Sequence, residues 1–330
     1  MKYFPVFFAI VLATGCQEES IRRAFPVEYD QGMKEKALNY ANVLQEPGAI
    51  SPDLASLGKK LFFDTRLSGN ATQSCATCHP LNAYGMDNKP LSAGANGQLL
   101  KRNTPTVLNA ALHANQFWDG RAKTLEEQVK IAMLAPDELG MPSIRELENR
   151  LKGDPDYQKL FALAFPDQQA PVTFENTALA IAAFERTLIT PSRFDHFLNG
   201  AEDALNDQEK RGLSLFADLS CIKCHSGNTM GGNVFQRFGL TGYYWDLTKS
   251  AQIDEGLYAL TGNPADKYVF KVPSLRNVEK TAPYFHDGSV ATLEEAIRIM
   301  AKVQLGMDLT APEINDIKAF LHTLTAQPAD

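Results

Sequence analysis

Residues 75–79 read Cys-Ala-Thr-Cys-His, and residues 221–225 read Cys-Ile-Lys-Cys-His. The pattern Cys-x-x-Cys-His is the attachment site of a c-type haem. Its two thiols form thioethers with the haem vinyl groups, and the adjacent imidazole reaches the iron from the proximal side. The sequence therefore predicts two covalent haems, attached through Cys75, Cys78, Cys221 and Cys224, with His79 and His225 as the proximal iron ligands.

Zinc binding and disulfide redox chemistry are the other uses of paired cysteines. A zinc site built from two such pairs has them about 15–20 residues apart, whereas positions 75 and 221 are 146 residues apart. A thioredoxin-like site lies in a βαβ unit, and neither motif follows a strand-like run. Both alternatives are therefore weaker than haem attachment.

The N-terminus has the pattern of an export signal. Lys2 precedes an apolar stretch that ends in Gly15, directly before Cys16, and the stretch is shorter than the ~20 residues that span a bilayer. We predict that residues 1–15 are a signal peptide of lipoprotein type, with a lipid anchor on Cys16. An ordinary secretory signal with an incidental cysteine is the alternative. Either signal places the chain in the periplasm or on a periplasm-facing membrane surface.

Length and charge limit the classes of protein further. The chain has 330 residues, of which 44% are hydrophobic, and a formal net charge of −7. This charge argues against nucleic acid as a partner and permits attraction of a basic protein. The part after Cys16 is long enough for two domains.

A short internal repeat precedes each haem motif. Residues 58–62 read Gly-Lys-Lys-Leu-Phe and residues 212–216 read Gly-Leu-Ser-Leu-Phe. Apolar residues recur at helical spacing around each copy, which predicts the opening helix of a cytochrome c domain. We expect a mostly α fold in which two cytochrome c-type haem domains pack with their haems near the shared interface. The predicted divisions are an N-terminal extension over 16–50, a first domain over 51–195 and a second domain over 196–330.

Further helices are expected where apolar residues keep a helical period. Asp207 and Thr310 are predicted helix N-caps, and the C-terminal helix is expected to pack on the first domain. Residues 226–290 are predicted to form loops with short strands. The additional helices are expected at 124–133, 143–152, 155–164, 173–189, 292–303 and 311–324.

Four other segments resemble those of the bacterial di-haem cytochrome c peroxidases, a family that includes the MauG-like maturation enzymes. They read Arg-Asn-Thr-Pro-Thr at 102–106, Gln-Phe-Trp-Asp-Gly-Arg at 116–121, Lys-Val-Pro-Ser-Leu-Arg-Asn at 271–277 and Pro-Tyr-Phe-His-Asp-Gly-Ser at 283–289. They occur in the family's order, and the likeness extends over about residues 50–325. The resemblance implies a peroxidatic haem 1 in the first domain and an electron-transfer haem 2 in the second.

The two branches of this family differ in the sixth ligand of haem 2, which is Met in the peroxidases and Tyr in the MauG-like enzymes. The family position falls on Met300 in this chain. A thioether raises the potential of the iron, and a haem with both axial positions filled stores and passes electrons. From the residues alone, Met230 and Met307 are rival ligands, and Met300 is also compatible with a core position on an amphipathic helix.

Peroxide reduction at haem 1 needs a free iron position and a group that moves a proton from the inner to the outer oxygen. The resemblance places Gln128 and Glu138 on the distal side, with Glu138 as the general acid/base. The residues around Glu138 are largely apolar, which raises the pKa of a carboxyl group. From the pattern alone, a solvated loop acid beside Asp137 is the alternative.

One loop departs from the family pattern. Many of these peroxidases carry a His after the first haem motif that caps haem 1 in the fully oxidised state. Here residues 91–98 read Leu-Ser-Ala-Gly-Ala-Asn-Gly-Gln, and Ala95 occupies the ligand's position. We therefore predict an open haem 1 when both irons are ferric, and an enzyme that needs no reductive activation. His113 is predicted to be a helix or loop residue rather than a replacement ligand.

The resemblance places Trp118 between the haems, where an indole can relay an electron; a buried interface aromatic is the structural alternative. It also implies one Ca²⁺ at this interface, held by hard oxygen ligands. Its predicted ligands are Asn103, Thr281 and Pro283. The remaining histidines are predicted to be structural (His286) or surface residues (His196 and His322).

The predicted function is reduction of hydrogen peroxide to two waters with two electrons from a small redox protein, either a cytochrome c or a copper protein. A MauG-like oxidase that modifies a partner protein is the second hypothesis, favoured by the open haem 1 and opposed by Met300. A plain electron-transfer cytochrome is the third, and it needs a sixth ligand for haem 1 that the sequence does not supply. The resemblance implies a homodimer, with membrane contact through the lipid anchor.

Overall fold

The computed structural model describes residues 32–45 and 48–326, so the predicted signal peptide and Cys16 lie outside the described residues. The described part is mostly helical, and none of its helices is long and apolar enough to cross a bilayer. Two short antiparallel strands, Phe235–Arg237 (β1) and Val269–Lys271 (β2), pair within the loop-rich segment. The α-helices, labelled α1 to α13 in chain order, are Met33–Leu38, Pro52–Phe62, Cys75–Cys78, Leu125–Leu134, Ile144–Lys152, Pro155–Ala164, Phe174–Arg186, Arg193–Leu198, Asp207–Asp218, Tyr244–Thr248, Tyr258–Thr261, Leu293–Leu305 and Ala311–His322.

The helices predicted from apolar periodicity are all present, with ends within three residues of the expected positions. Thr310 is the N-cap of α13, as predicted. The N-cap of α9 is Asn206 rather than Asp207, which is the first helical residue. The side chain of Asn206 accepts from the N–H of Glu209, and the carboxylate of Glu209 accepts from the N–H of Asn206. This reciprocal capping box fixes the helix start one residue earlier than expected.

The repeated Gly-x-x-Leu-Phe motif marks a close helix crossing in each half of the chain. A Cβ atom on Gly58 of α2 would lie 1.8 Å from the carbonyl oxygen of Ala180 in α7. A Cβ atom on Gly212 of α9 would lie 1.8 Å from the carbonyl oxygen of Asp316 in α13. A larger residue would force the helices apart, so glycine is required for both crossings.

The two crossings lie in two separate hydrophobic cores. The first core contains Leu61 and Phe184, and the second contains Phe216 and Phe320. The ring of Phe320 packs 5.3 Å from that of Phe216 and 5.4 Å from that of Phe194. Helix α13 thus completes the second core against α9 and α12, and the expectation that the C-terminal helix packs on the first domain is wrong. The aromatic face of α13 packs against aromatic rings of α8 and α9. Sequence periodicity alone does not reveal this partner.

The N-terminal segment is also part of the second core, where Ala37 and Ala41 are fully buried. The N–H of Leu44 donates to Asp195 at 2.9 Å. Asp195 accepts two further hydrogen bonds from the guanidinium of Arg276, at 2.5 and 2.9 Å. The side chains of this ion pair are only 4% and 1% exposed. One buried charge pair therefore joins three segments that are distant in sequence.

Removal of the cation from this pair is expected to be strongly destabilising. Arg276→Leu leaves the Asp195 carboxylate buried without its partner, which costs about 3–5 kcal/mol of unfolding free energy. Arg298→Leu is the matched control, because its ion pair with Glu295 is about half exposed and such pairs contribute at most about 1 kcal/mol. Denaturant unfolding of the haem-loaded variants measures both losses. Equal losses would contradict a special role for the buried pair.

Candidate haem sites

The first haem motif forms a short helix that presents both cysteines and the following histidine. Helix α3, Cys75–Cys78, begins where the N–H of Ser74 donates to Oγ1 of Thr77 at 3.0 Å. The ring Nδ1 of His79 lies 3.0 Å from the carbonyl oxygen of Gly85. Because a carbonyl only accepts, Nδ1 carries the proton and Nε2 keeps its lone pair. Burial lowers the pKa of His79, so the neutral form needed for iron binding is favoured.

The second motif repeats this arrangement. Cys221–Lys223 form a 3₁₀ turn, and Nδ1 of His225 lies 3.3 Å from the carbonyl oxygen of Met230. Burial lowers the pKa of His225 to about 4. Each proximal imidazole is therefore neutral, oriented by a backbone carbonyl and free to bind iron through Nε2. The residues present at both motifs fit a c-type haem.

The described residues include no group of three or more His, Cys, Asp or Glu side chains placed to share one metal ion. The two Cys-x-x-Cys pairs belong to separate motifs, α3 and the turn Cys221–Lys223, and do not form a common zinc site. This arrangement agrees with one haem at each motif.

A cavity lies beside the first motif. Cys75, Cys78 and His79 form one part of its wall, and the predicted distal residues Gln128 and Glu138 form another. The structure thus brings together residues that are up to 112 positions apart, from 73 to 185. The other wall residues are mostly apolar, as a haem requires: Gly94, Leu100, Val129, Ala132, Met133 and Leu139, beside Gln73, Ser74, Thr104 and Glu185.

Glu138 combines burial with one nearby cation. The pKa of Glu138 is raised to about 7, chiefly by burial; the guanidinium of Arg121 opposes this rise, and the carboxylate of Asp137 adds to it. Nη2 of Arg121 lies 3.6 Å from Oε1 of Glu138. A carboxyl group that titrates near neutrality can both take up and release a proton at working pH.

The loop that contains Ala95 is attached by its backbone to the segment of Glu138. The N–H of Ala95 donates to the carbonyl oxygen of Glu138 at 2.8 Å, and the amide of Asn70 donates to the carbonyl oxygen of Ala95 at 2.5 Å. A Cβ atom on Gly94 would lie 2.0 Å from the carbonyl oxygen of Asp137. These contacts hold the Ala95 segment against the segment of Glu138, and Ala95 itself is only 8% exposed.

The three candidate methionine ligands of haem 2 differ in their placement. Met300 lies on α12 and is partly buried against the same core as Cys221. Met230 is fully buried, but its carbonyl oxygen holds the proximal imidazole of His225. Met307 is 43% exposed, which does not suit a closed haem. Met300 and Met230 both lie in this core, so Met300 as the ligand stays a prediction.

Trp118 and the predicted calcium ligands lie where the two halves meet. Nε1 of Trp118 donates to the carbonyl oxygen of Asn103 at 2.8 Å, and the N–H of Asn103 donates to the carbonyl oxygen of His286 at 2.6 Å. The amide of Asn88 donates to the carbonyl oxygens of Lys280 and Ala282, at 3.2 and 3.1 Å. The segment that carries Asn103 therefore lies close to the segment that carries Thr281 and Pro283.

Two buried groups were not found by sequence reasoning. Glu185 of α7 lines the haem 1 cavity, and burial raises its pKa to about 8. Lys271 lies with its ammonium 3.3 Å from Nδ1 of His113, and burial lowers the pKa of Lys271 to about 8. Both residues have ordinary sequence surroundings, so no local signal indicates them. His113 caps a 3₁₀ turn, as a helix or loop residue should.

The remaining histidines are placed partly as predicted. His196 is exposed and His286 is buried, in agreement with the expected surface and structural positions. The ring of His286 stacks 4.4 Å from that of Phe270 and lies 6.4 Å from that of Trp118. His322 is half-buried rather than a surface residue, because α13 turns it toward Glu279, with its Nε2 3.9 Å from the carboxylate.

Two c-type haem motifs, each with an oriented proximal His in a mostly helical chain, define a di-haem cytochrome. A family model described as di-haem cytochrome c peroxidase matches residues 52–203. The chain is 45% identical to the cytochrome c551 peroxidase of Pseudomonas aeruginosa over 280 residues, covering 84% of this chain and 80% of that protein. It is 42% identical to the cytochrome c551 peroxidase of Nitrosomonas europaea, covering 87% and 85%. The chain belongs to the di-haem cytochrome c peroxidase family.

The MauG branch of the family is also similar. The methylamine utilization protein MauG of Methylorubrum extorquens is 35% identical over 85% of this chain and 80% of that protein. The crystal structure of a MauG-like protein associated with microbial copper homeostasis superposes with a TM-score of 0.77 at 33% identity, covering 87% of this chain and 94% of that one. The recognition of the family from its sequence segments is confirmed.

Proposed function

We propose that this protein is a di-haem cytochrome c peroxidase, which reduces hydrogen peroxide to water with electrons from a small redox protein. The observation that carries the proposal is a cavity whose wall contains Gln128 and Glu138 together with His79 and the two haem-attaching cysteines. When bound, haem 1 supplies the iron to which peroxide binds. The greater identity to two cytochrome c551 peroxidases than to MauG supports this reading over a maturation enzyme.

The side chains of the cavity have distinct proposed roles. Glu138 accepts the proton of the inner peroxide oxygen and returns it to the outer oxygen, so that water rather than hydroxide leaves. Gln128 orients peroxide through its amide group. The apolar residues Met133 and Leu139 exclude bulk water, which keeps the pKa of Glu138 near neutrality. Trp118 relays electrons from the second half of the chain.

Steady-state kinetics test the function directly. The haem-loaded protein is mixed with hydrogen peroxide and a reduced small cytochrome c, and oxidation of the cytochrome is followed. We expect two cytochromes oxidised per peroxide consumed. Consumption of about one peroxide per protein without oxidation of the cytochrome, leaving a long-lived oxidised protein species, would instead support a MauG-like oxidase, which an uncapped haem 1 also permits.

Haem 2 is proposed to be the electron-entry site, and His225 and Met300 are the residues that would hold its iron. Met300→Leu removes the thioether while preserving the apolar volume. We expect the midpoint potential of haem 2 to fall by on the order of 100 mV, because axial ligands set haem potentials over a range of ~0.8 V. Spectroelectrochemical titration measures the change, and Met307→Leu is the control at an exposed methionine. An unchanged potential in Met300→Leu would exclude Met300 as the ligand.

The remaining features of the proposal extend beyond the cavity. The first and second halves, 51–195 and 196–330, act as the peroxidatic and electron-transfer domains, with the haems near their interface. One Ca²⁺ binds at this interface through Asn103, Thr281 and Pro283. The protein works in the periplasm, held by a lipid on Cys16, as a homodimer that takes electrons from a cytochrome c or a copper protein.

A further inference from the structure

The loop that carries Trp118 also carries Arg121, whose guanidinium lies beside Glu138 in the wall of the haem 1 cavity. The N–H of Gln116 donates to the carbonyl oxygen of Ala122 at 2.8 Å, which closes the loop as a tight hairpin. Phe117 and Gly120 adopt positive φ angles of 67° and 68° inside it. The guanidinium of Arg121 lies 3.4 Å from the ring centroid of Phe117. The backbone and this stacking contact together limit where the guanidinium can lie.

Asp119 fixes the orientation of that guanidinium. Nη1 of Arg121 donates to both carboxylate oxygens of Asp119, at 3.1 and 3.2 Å. Asp119 is itself held by Arg102, whose Nη1 donates to it at 2.6 Å. Arg102 also binds Asp254 through Nε and Nη2, at 2.7 and 3.0 Å. The network therefore anchors Arg121 from the second half of the chain, 133 positions away.

The free edge of the guanidinium faces the carboxylate of Glu138, with Nη2 3.6 Å from Oε1. The other charged or titratable groups around Glu138 are its neighbour Asp137 and, across the cavity, Glu185 and His79. Burial keeps Glu185 and His79 neutral, so Arg121 supplies the local positive charge. Without it, burial and Asp137 would both favour the protonated form of Glu138.

We propose that Arg121 is a positioning residue for the peroxide site: held by Asp119, it keeps Glu138 ionised and directed into the haem 1 cavity, ready to accept the proton of peroxide. This inference rests on the proposed role of Glu138 in proton transfer. It also connects the distal acid of haem 1 to the second half of the chain through Asp119, Arg102 and Asp254.

The protonation of Glu138 can be measured in the ferric haem-loaded protein without peroxide. The infrared carbonyl band of the protonated acid is assigned by its loss in Glu138→Gln and then followed over pH. In Arg121→Gln we expect its midpoint to rise by about one pH unit, the low end of the shift produced by a charge within 4–6 Å, since both side chains are partly exposed. Arg121→Lys should restore most of the shift, and Lys130→Gln, which breaks a surface pair with Glu175, should leave the midpoint unchanged.

Peroxide kinetics provide the second reading. At pH 7 the kcat/KM of Arg121→Gln should fall about fivefold, the loss of carboxylate caused by a one-unit rise from a pKa of about 7, and should recover at higher pH. If Arg121→Gln does not accumulate with both haems, Asp119→Asn provides a second variant, because it releases the guanidinium. It should also raise the pH midpoint of the Glu138 carbonyl band. A midpoint that is unchanged in these variants would overturn the inference. A shifted midpoint in a protein that does not consume peroxide would support the inference and refute the peroxidase function.

Discussion

Glu138→Gln is expected to lower the kcat/KM for hydrogen peroxide by about 10²–10⁴-fold, the usual contribution of a positioned acid/base group. Glutamine keeps the size and polarity of the side chain but cannot carry the proton between the two oxygens. Burial raises the pKa of Glu138 to about 7, and the carboxylate is the form that accepts a proton. The unaltered enzyme should therefore lose kcat/KM as the pH falls through 7, and this acidic limb should be absent in the variant.

Asp137→Asn is the matched control for this variant, because it removes the adjacent carboxylate without touching the proposed acid/base group. Asp137 raises the pKa of Glu138. Its removal should therefore move the acidic limb to lower pH and leave the maximal rate nearly unchanged. If Asp137→Asn and Glu138→Gln lost activity equally, the assignment of proton transfer to Glu138 would be wrong.

Ala95→His is expected to close haem 1 in the fully oxidised protein. The unaltered protein should consume peroxide from the all-ferric state without prior reduction, because residues 91–98 contain no His that could cap the iron. In the variant, a His at this position should bind the ferric iron and reduce the fraction of open sites, so that all-ferric turnover falls more than about tenfold. Prior reduction of haem 2 should restore it. The spin state of haem 1, read by electron paramagnetic resonance, should change from high to low spin.

Asn96→His controls for the presence of an imidazole in the same loop. Asn96 is exposed and its amide donates to the carbonyl oxygen of Pro136 at 3.2 Å, so a His there should leave all-ferric turnover intact. Two low-spin haems in the unaltered ferric protein, with turnover only after reduction, would show that another residue caps haem 1. The open-site prediction from Ala95 would then fail.

The sequence by itself determined the features that depend on local spacing. The two Cys-x-x-Cys-His motifs specify haem attachment because thiols and imidazole must be adjacent on one short turn. The helices followed from apolar periodicity, and their ends were displaced mainly where side-chain capping decides them, as at Asn206. The repeat containing Gly58 and Gly212 was visible as a pattern. Its physical reason, a backbone contact with Ala180 or Asp316, appeared only in the fold.

The candidate site was predicted in part, through its resemblance to a family. Gln128 and Glu138 do share one cavity with the first haem motif, although neither has a local pattern that distinguishes it from a surface residue. Glu185 was missed for the same reason. Its carboxyl group becomes unusual only because α7 buries it against the cavity, where burial raises its pKa.

Tertiary structure alone decided which distant charges meet. Asp195 pairs with Arg276, and Arg121 reaches Glu138 while Asp119 and Arg102 link it to Asp254. Such pairs leave no periodic trace in a sequence, because each charged residue looks like an ordinary solvated side chain until folding removes water from around it. The packing of α13 on the second core was also decided only by the tertiary structure. An apolar helix face predicts that the face is buried, but not which element packs against it.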